Sequence, residues 1–271
     1  MADKRQLATG FAAAAAALFL FSTGAAALES CAVVADAASG DTLFREGPCD
    51  RRVTPASTFK IPIALMGYDA GILLNEHEPR WDYQPGFPVN SKCDRETVDP
   101  PKWETCSVVW YSQEITTRLG MERFRDYVDR FDYGNRDVSG APGQNNGLTH
   151  AWLVTSLQIS ADEEIRFLRR FLDGALPASK RAHEMAAAIL PVFHANGGWT
   201  VHGKTGGGRV QDAERRADPD RPLGWFVGWA DKDGRRVVFA RLLISGGAPE
   251  AANGILARAA LLAELDGMVS E

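Results

Sequence analysis

Metal ligands at usable spacing are missing from this 271-residue chain. Its five histidines, His77, His150, His183, His194 and His202, form no HExxH and no ligand pair, and its four cysteines form no CxxC, so no metal site is expected. No GxSxG elbow is present to begin a serine, histidine and acid triad. The net charge is −5, without a basic tail or patch, which leaves nothing for nucleic acid to bind. Beyond residue 27 no apolar run approaches the ~20 residues that cross a bilayer, so stable membrane insertion is not expected. Internal repeats are missing as well. The remainder, 45% hydrophobic and 24% charged, has the profile of a soluble globular protein.

The N-terminus is different. Lys4 and Arg5 lead into the apolar run Phe11 to Phe21, which gives way to small residues at Gly24 to Ala27. That is the pattern of a secretory signal peptide over 1–27, leaving 28–271 as one domain, periplasmic or secreted after cleavage. Leu28 and Cys31 stand at lipobox spacing, but Glu29 fits that motif poorly. Export makes Cys31, Cys49, Cys93 and Cys106 candidates for disulfides, with three possible connectivities. Residues 31–37 and 42–47 resemble two strands around Ser39-Gly40-Asp41, and a three-residue loop there pairs positions whose numbers sum to 80. Cys31 then faces Cys49, and Cys93 is left for Cys106. Reduced, buried thiols are the bland alternative.

Strand-like segments sit near both ends of the chain, at 32–46, 199–206, 223–230 and 236–245. Apolar spacing of three and four marks helices at 57–74, 107–119, 121–130, 161–173, 179–190 and 251–265. Asp231-Lys232-Asp233-Gly234 is a hairpin turn. A sheet built from both chain ends, with a helical region of about 57–190 inserted between them, is an α+β architecture. Residues 79–105 and 132–149, rich in Pro, Gly, Asn and Asp, are expected to be long loops, as is 210–222.

Residues 198–205, Gly-Trp-Thr-Val-His-Gly-Lys-Thr, formally satisfy the phosphate-loop pattern. Their bulky interior and the glycines that follow argue for a strand instead. Three other features carry chemistry. Ser57-Thr58-Phe59-Lys60 places a hydroxyl and an amine three residues apart, on one helix face; such an amine serves as a base only if its positive charge is suppressed. Pro62 requires the helix to start close to Ser57. Lys204-Thr205-Gly206, followed by Gly207 and Gly208, combines a cation, a hydroxyl and accessible backbone, which suits a carboxylated ligand. Ser107-Val108-Val109 sits at a loop-to-helix boundary, where a serine is otherwise an ordinary helix cap.

Order and separation say more than any one motif. SxxK near the mature N-terminus, a serine 50 residues later, and KTG near the C-terminus form the three-part signature of the penicillin-recognising serine enzymes. The chain resembles that superfamily and, more narrowly, the class D β-lactamases. Tyr133-Gly134-Asn135, Trp152 in Ala151-Trp152-Leu153, and Gly224-Trp225-Phe226-Val227-Gly228-Trp229 extend the resemblance over nearly the whole mature chain.

The resemblance implies a β-lactamase/DD-peptidase-like fold and hydrolysis of β-lactams through an acyl-enzyme on Ser57. It implies that Lys60 is carboxylated by carbon dioxide or bicarbonate and then acts as general base, with the Trp152 indole holding the carbamate. Ser107 would pass a proton to the lactam nitrogen, Lys204 would supply positive field, and Thr205 would bind the substrate carboxylate. The N–H groups of Ser57 and Gly207 would form the oxyanion hole, while Val109 and Leu153 would keep water from the carbamate. No other cofactor is implied, and no oligomeric state. The family's carboxylate-binding arginine has no counterpart in residues 246–257, which leaves Arg258, with Arg209 as the alternative. Two competing readings share the acylation step. A penicillin-binding peptidoglycan enzyme usually carries Asn where Val109 stands, and a β-lactam sensor domain acylates and stops.

Overall fold

The computed structural model describes residues 29–245 and 250–270, so the expected signal peptide at 1–27 lies outside them. Six strands form one sheet: β1 (Glu29–Asp36), β2 (Thr42–Glu46), β3 (Val192–His194), β4 (Thr200–Gln211), β5 (Ala217–Lys232) and β6 (Arg235–Ile244). Their order is β2-β1-β6-β5-β4-β3, and every neighbouring pair is antiparallel. The two ends of the sequence meet where Glu29 to Asp36 lie opposite Ile244 to Val237. This is the α+β architecture expected, and the hairpin turn falls between Lys232 and Arg235.

Helices fill the interval between β2 and β3: α1 (Lys60–Asp69), α2 (Pro100–Cys106), α3 (Val109–Leu119), α4 (Met121–Phe131), α5 (Gly147–His150), α6 (Ala161–Leu172) and α7 (Lys180–Ala188). The last helix, α8 (Glu250–Ser270), returns to the sheet. Local chemistry explains their ends. Ser160 and Glu163 form a capping box on α6, whose first turn is acidic and whose last turn carries Arg169 and Arg170, matching the helix dipole. The sheet is covered on both faces. Val34, Val201, Phe226 and Phe239 pack with Leu261 and Leu265 of α8, while Val33, Trp225 and Val227 belong to the larger core shared with the helical region.

Several expectations are corrected. The helix expected at 57–74 is a 3₁₀ turn, Ala56–Phe59, followed by α1. Pro62 falls in the first turn of α1, where an N–H has no helical partner anyway. The loop expected at 210–222 is mostly strand, because β4 and β5 continue outward to a turn between Gln211 and Ala217. The loop at 79–105 contains α2 and a bridge between Trp81 and Val98, and 132–149 runs into α5. Residues 200–205 lie on β4, so no phosphate loop exists there.

The first hairpin has a different register from the one expected. Ala32 faces Glu46 and Val33 faces Arg45, and a bulge follows Val34. The Asp36 carboxylate accepts from the N–H groups of Ala38 and Ser39, which widens the loop beyond three residues. Cys49 therefore lies past the end of β2. The chain turns back at Gly47, whose φ of 81° and contact with the Ser30 carbonyl leave no room for a side chain. That turn brings Cys49 to Cys31, with Cα atoms 5.3 Å apart and the sulfurs bonded. Cys93 is bonded to Cys106, 6.2 Å between Cα atoms. The pairing is as expected, although the register that suggested it is not.

Behind the 3₁₀ turn lies a buried acid. Glu164 of α6 accepts hydrogen bonds from Thr58 Oγ1 (3.1 Å) and Tyr133 OH (2.9 Å). Burial outweighs both and pushes its pKa up to about 7. The folded protein thus keeps Glu164 protonated at a pH where the unfolded chain has ionised it, and stability is lost as pH rises from the ordinary carboxyl range through 7. Glu164→Gln is expected to match wild type in denaturant melts near pH 4 and to exceed it at pH 8 by roughly 2–3 kcal/mol. Parallel profiles would show that Glu164 ionises normally.

Candidate active site

Ser57 and Lys60 straddle the junction between the 3₁₀ turn and α1, which places them on the same side of the chain. The Lys60 Nζ lies 3.2 Å from Ser57 Oγ. Ser57 is half-buried and Lys60 has no exposure at all. Phe59 anchors the turn, with its ring 5.6 Å from Trp152, 5.1 Å from Tyr133 and 6.0 Å from Phe124. The segment before Ser57 is pinned as well. Thr54 donates to the Trp152 carbonyl and accepts from the Val154 N–H, and its own carbonyl accepts from the Trp225 indole. Burial, reinforced by the nearby Lys204 charge, lowers the Lys60 pKa to about 7, against the opposing pull of Glu104 and Asp94. A large fraction of Lys60 is then a free amine at neutral pH, adjacent to a hydroxyl.

Strand β4 forms the opposite wall. β3 pairs with Thr200 to His202, so beyond Lys204 that edge of β4 carries no strand among the described residues. Residues 204, 206 and 208 share one face by the two-residue repeat. A Cβ on Gly206 would stand 2.9 Å from the Pro55 carbonyl and 3.1 Å from Thr58 Cγ2; one on Gly208 would stand 3.0 Å from Thr54 Cγ2. Glycine at these positions lets the strand lie directly against the Ser57 turn. Lys204, on the same face, is 2% exposed and donates to Ser107 Oγ at 2.9 Å and to the Thr205 carbonyl at 3.1 Å. Burial lowers its pKa, with Glu104 opposing and Arg258 adding to the shift. Gly207 is exposed.

Ser107 is not the N-cap of the following helix. It ends α2 in a left-handed conformation, φ 60°, and α3 begins at Val109. Ala56 (φ 49°) and Val154 (φ 57°) adopt the same region, so three non-glycine residues beside the site are strained, each by roughly 1–3 kcal/mol. Trp152 is fully buried. Of the four fully buried tryptophans, Trp103, Trp110 and Trp225 donate to Ser112, to the Asp94 carbonyl and to the Thr54 carbonyl. The Trp152 Nε1 is buried without an acceptor among the described residues. Val109 and Leu153 are half-buried, and Leu153 packs on the main core.

The two candidate arginines separate. Arg258 lies on α8, its guanidinium over the Phe193 ring, lining a cavity of about 250 Å³ with Lys204 and Thr205. Arg209 donates to the Pro219 carbonyl across the β4–β5 hairpin. Among the buried acids that escaped the sequence analysis are two glutamates: Glu164, described above, and Glu104, a lining residue of the same cavity as Arg258. Nothing in their local sequence distinguishes them from solvent-facing glutamates. Among the described residues no group of His, Cys, Asp and Glu is arranged to hold a metal ion, and no helix is long and apolar enough to cross a membrane.

Residues 30–265 match the penicillin-binding protein transpeptidase domain family. The chain is 48% identical to β-lactamase OXA-9 of Klebsiella pneumoniae over 87% of its own length and 86% of that protein's. The structure superposes on the crystal structure of the OXA-427 class D β-lactamase with a TM-score of 0.83 at 42% identity, covering 89% of this chain and 98% of that one. The chain belongs to the class D β-lactamases. OXA-1 of Escherichia coli is a further relative, 36% identical over 79% of this chain and 76% of its own. As a member of this family the enzyme hydrolyses β-lactams.

For a class D β-lactamase built this way, the fit of β4 against the Ser57 turn is a geometric requirement. Gly206→Ala is expected to lower kcat/KM for a penicillin by about 10–100-fold while the protein stays folded, because a side chain there displaces the strand from Ser57. Unchanged kinetics would mean that this contact does not set the geometry.

Proposed function

We propose that Ser57 is the acylated nucleophile and that Lys60 works as a carbamate, formed with carbon dioxide, in both acylation and deacylation. The observation that carries this reading is a fully buried Lys60 amine 3.2 Å from Ser57, together with a buried Trp152 Nε1 that has no acceptor among the described residues. Only a free amine reacts with carbon dioxide, and burial favours that form. An added carboxyl would give the Trp152 N–H an anionic acceptor, so the residues present fit the group. Bound there, it supplies an oxygen base beside Ser57.

The chain's own residues account for the remaining steps. Ser57 Oγ bonds to the lactam carbonyl carbon, the ring C–N bond breaks, and the proton required by the departing nitrogen comes through Ser107, which Lys204 holds at 2.9 Å. The N–H groups of Ser57 and Gly207 receive the oxyanion, consistent with the unpaired edge of β4. Thr205, Gly206 and Arg258 take the substrate carboxylate; Arg258 is favoured over Arg209 because it shares a cavity with Lys204 and Thr205. Val109 and Leu153 keep bulk water off Lys60. Water then clears the ester from Ser57, which separates this enzyme from a sensor or a transpeptidase. Residues 1–27 act as a signal peptide and 28–271 as the exported domain, where the two disulfides suit an oxidising compartment.

The pH dependence has a definite sign. Below about 7 Lys60 is an ammonium that carbon dioxide cannot modify, and above it the free amine is available. Enzyme exposed to acid is expected to lose turnover of a chromogenic β-lactam and to regain it above pH 7 in proportion to added bicarbonate. Lys60→Ala should fold normally, acylate slowly and accumulate the Ser57 adduct in mass spectra. Turnover indifferent to bicarbonate, or normal deacylation in Lys60→Ala, would overturn the assignment.

A further inference from the structure

Glu104 takes no part in the chemistry above, yet it stands beside it at evident cost. It lies on α2 three residues before Ser107, has no solvent exposure, and neither carboxylate oxygen accepts a hydrogen bond among the described residues. Burying an unbonded carboxylate is costly unless a cation offsets it or a proton neutralises it. Burial pushes the Glu104 pKa up to about 7 against the pull of Lys204 and Lys60, so that it is an anion on the alkaline side of neutrality.

Cations approach Glu104 from several elements. The cavity of about 250 Å³ that it lines is shared with Lys204 from β4 and Arg258 from α8. From α1, Lys60 and the phenol of Tyr68 both respond to its charge, and Asp94, in the 3₁₀ turn Lys92–Arg95, acts on Lys60. Lys204 is the group with most to gain. Its hydrogen bonds go to neutral oxygens, the Ser107 hydroxyl and the Thr205 carbonyl. Burial and the Arg258 charge both press it toward the neutral amine, and Glu104 opposes them.

We propose that Glu104 is a positioning residue for Lys204, the buried counter-charge across the cavity that keeps the lysine charged and directed at Ser107. This rests on the reading of Lys204 as the cation that serves Ser107 and the substrate. The same carboxylate also favours the ammonium form of Lys60 and so works against its carboxylation. Removing the anion lowers the pKa of both lysines, with opposite consequences. Lys204 works as the cation, so activity is lost at a lower pH; Lys60 reacts as the amine, so less bicarbonate is needed.

The test is the pH profile of kcat/KM for a chromogenic β-lactam in wild type, Glu104→Gln and Glu104→Asp, with thermal melts as the folding control. Glu104→Gln is expected to move the alkaline limb down by about one pH unit or more and to reactivate at a lower bicarbonate concentration, while Glu104→Asp keeps the limb near wild type. A limb unmoved in Glu104→Gln, or moved equally in both variants, overturns the inference. Should Glu104→Gln not fold, carboxyl NMR of wild type labelled with [¹³Cδ]glutamate decides. A Glu104 signal titrating above the ordinary range, and higher still in Lys204→Ala, supports the pairing; a signal that Lys204→Ala does not move overturns it. If Lys204→Ala hydrolyses substrate normally, the role assigned to Lys204 falls and this inference falls with it. An impaired Lys204→Ala beside an unmoved limb in Glu104→Gln removes the inference alone.

Discussion

An ammonium held dry beside a second cation gives up its proton more readily than one in water, and the organisation of this site follows from that cost. Lys60 is fully buried at the start of α1, next in sequence to Phe59 of the main core, with Lys204 near enough to add repulsion to desolvation. What would be a permanent cation at the surface becomes an amine available near neutral pH. The neighbouring Ser57 is only half-buried, while the Lys60 amine behind it has no exposure.

Keeping that amine dry constrains the fold on both sides. From the helical side, the aromatic rings around Phe59 and the Glu164, Thr58 and Tyr133 hydrogen bonds fix the 3₁₀ turn that carries the serine. From the sheet side, Gly206 and Gly208 let β4 approach until its backbone touches the same turn. The strained conformations at Ala56, Ser107 and Val154 lie where the surrounding packing overrides local preference. Even the cavity below β4 belongs to this arrangement, since Lys204, Arg258 and Glu104 share it.

Much of this was legible in the sequence, for identifiable reasons. The motif residues meet because Ser57, Lys60 and Ser107 stand at helix boundaries, Trp152 stacks on Phe59, and Lys204 and Gly206 lie in the middle of β4, and apolar periodicity located those elements. The first hairpin departs from the expected register because the Asp36 side chain holds the turn and its loop is longer than three residues. The outer part of the β4–β5 hairpin was read as a loop because Pro219, Pro222 and its charged residues disfavour strand locally, while cross-strand pairing holds it extended. Glu104 and Glu164 were invisible for a more general reason. A glutamate in a helix is a solvent-facing residue by propensity, and only tertiary packing shows that these two are buried.

The most direct measurement is ¹³C NMR of the enzyme equilibrated at pH 8 with ¹³C-bicarbonate. A carbamate resonance in wild type that disappears on acidification and is missing from Lys60→Ala is the expected result. Full turnover by wild-type enzyme showing no such resonance would contradict the central role given to the buried amine.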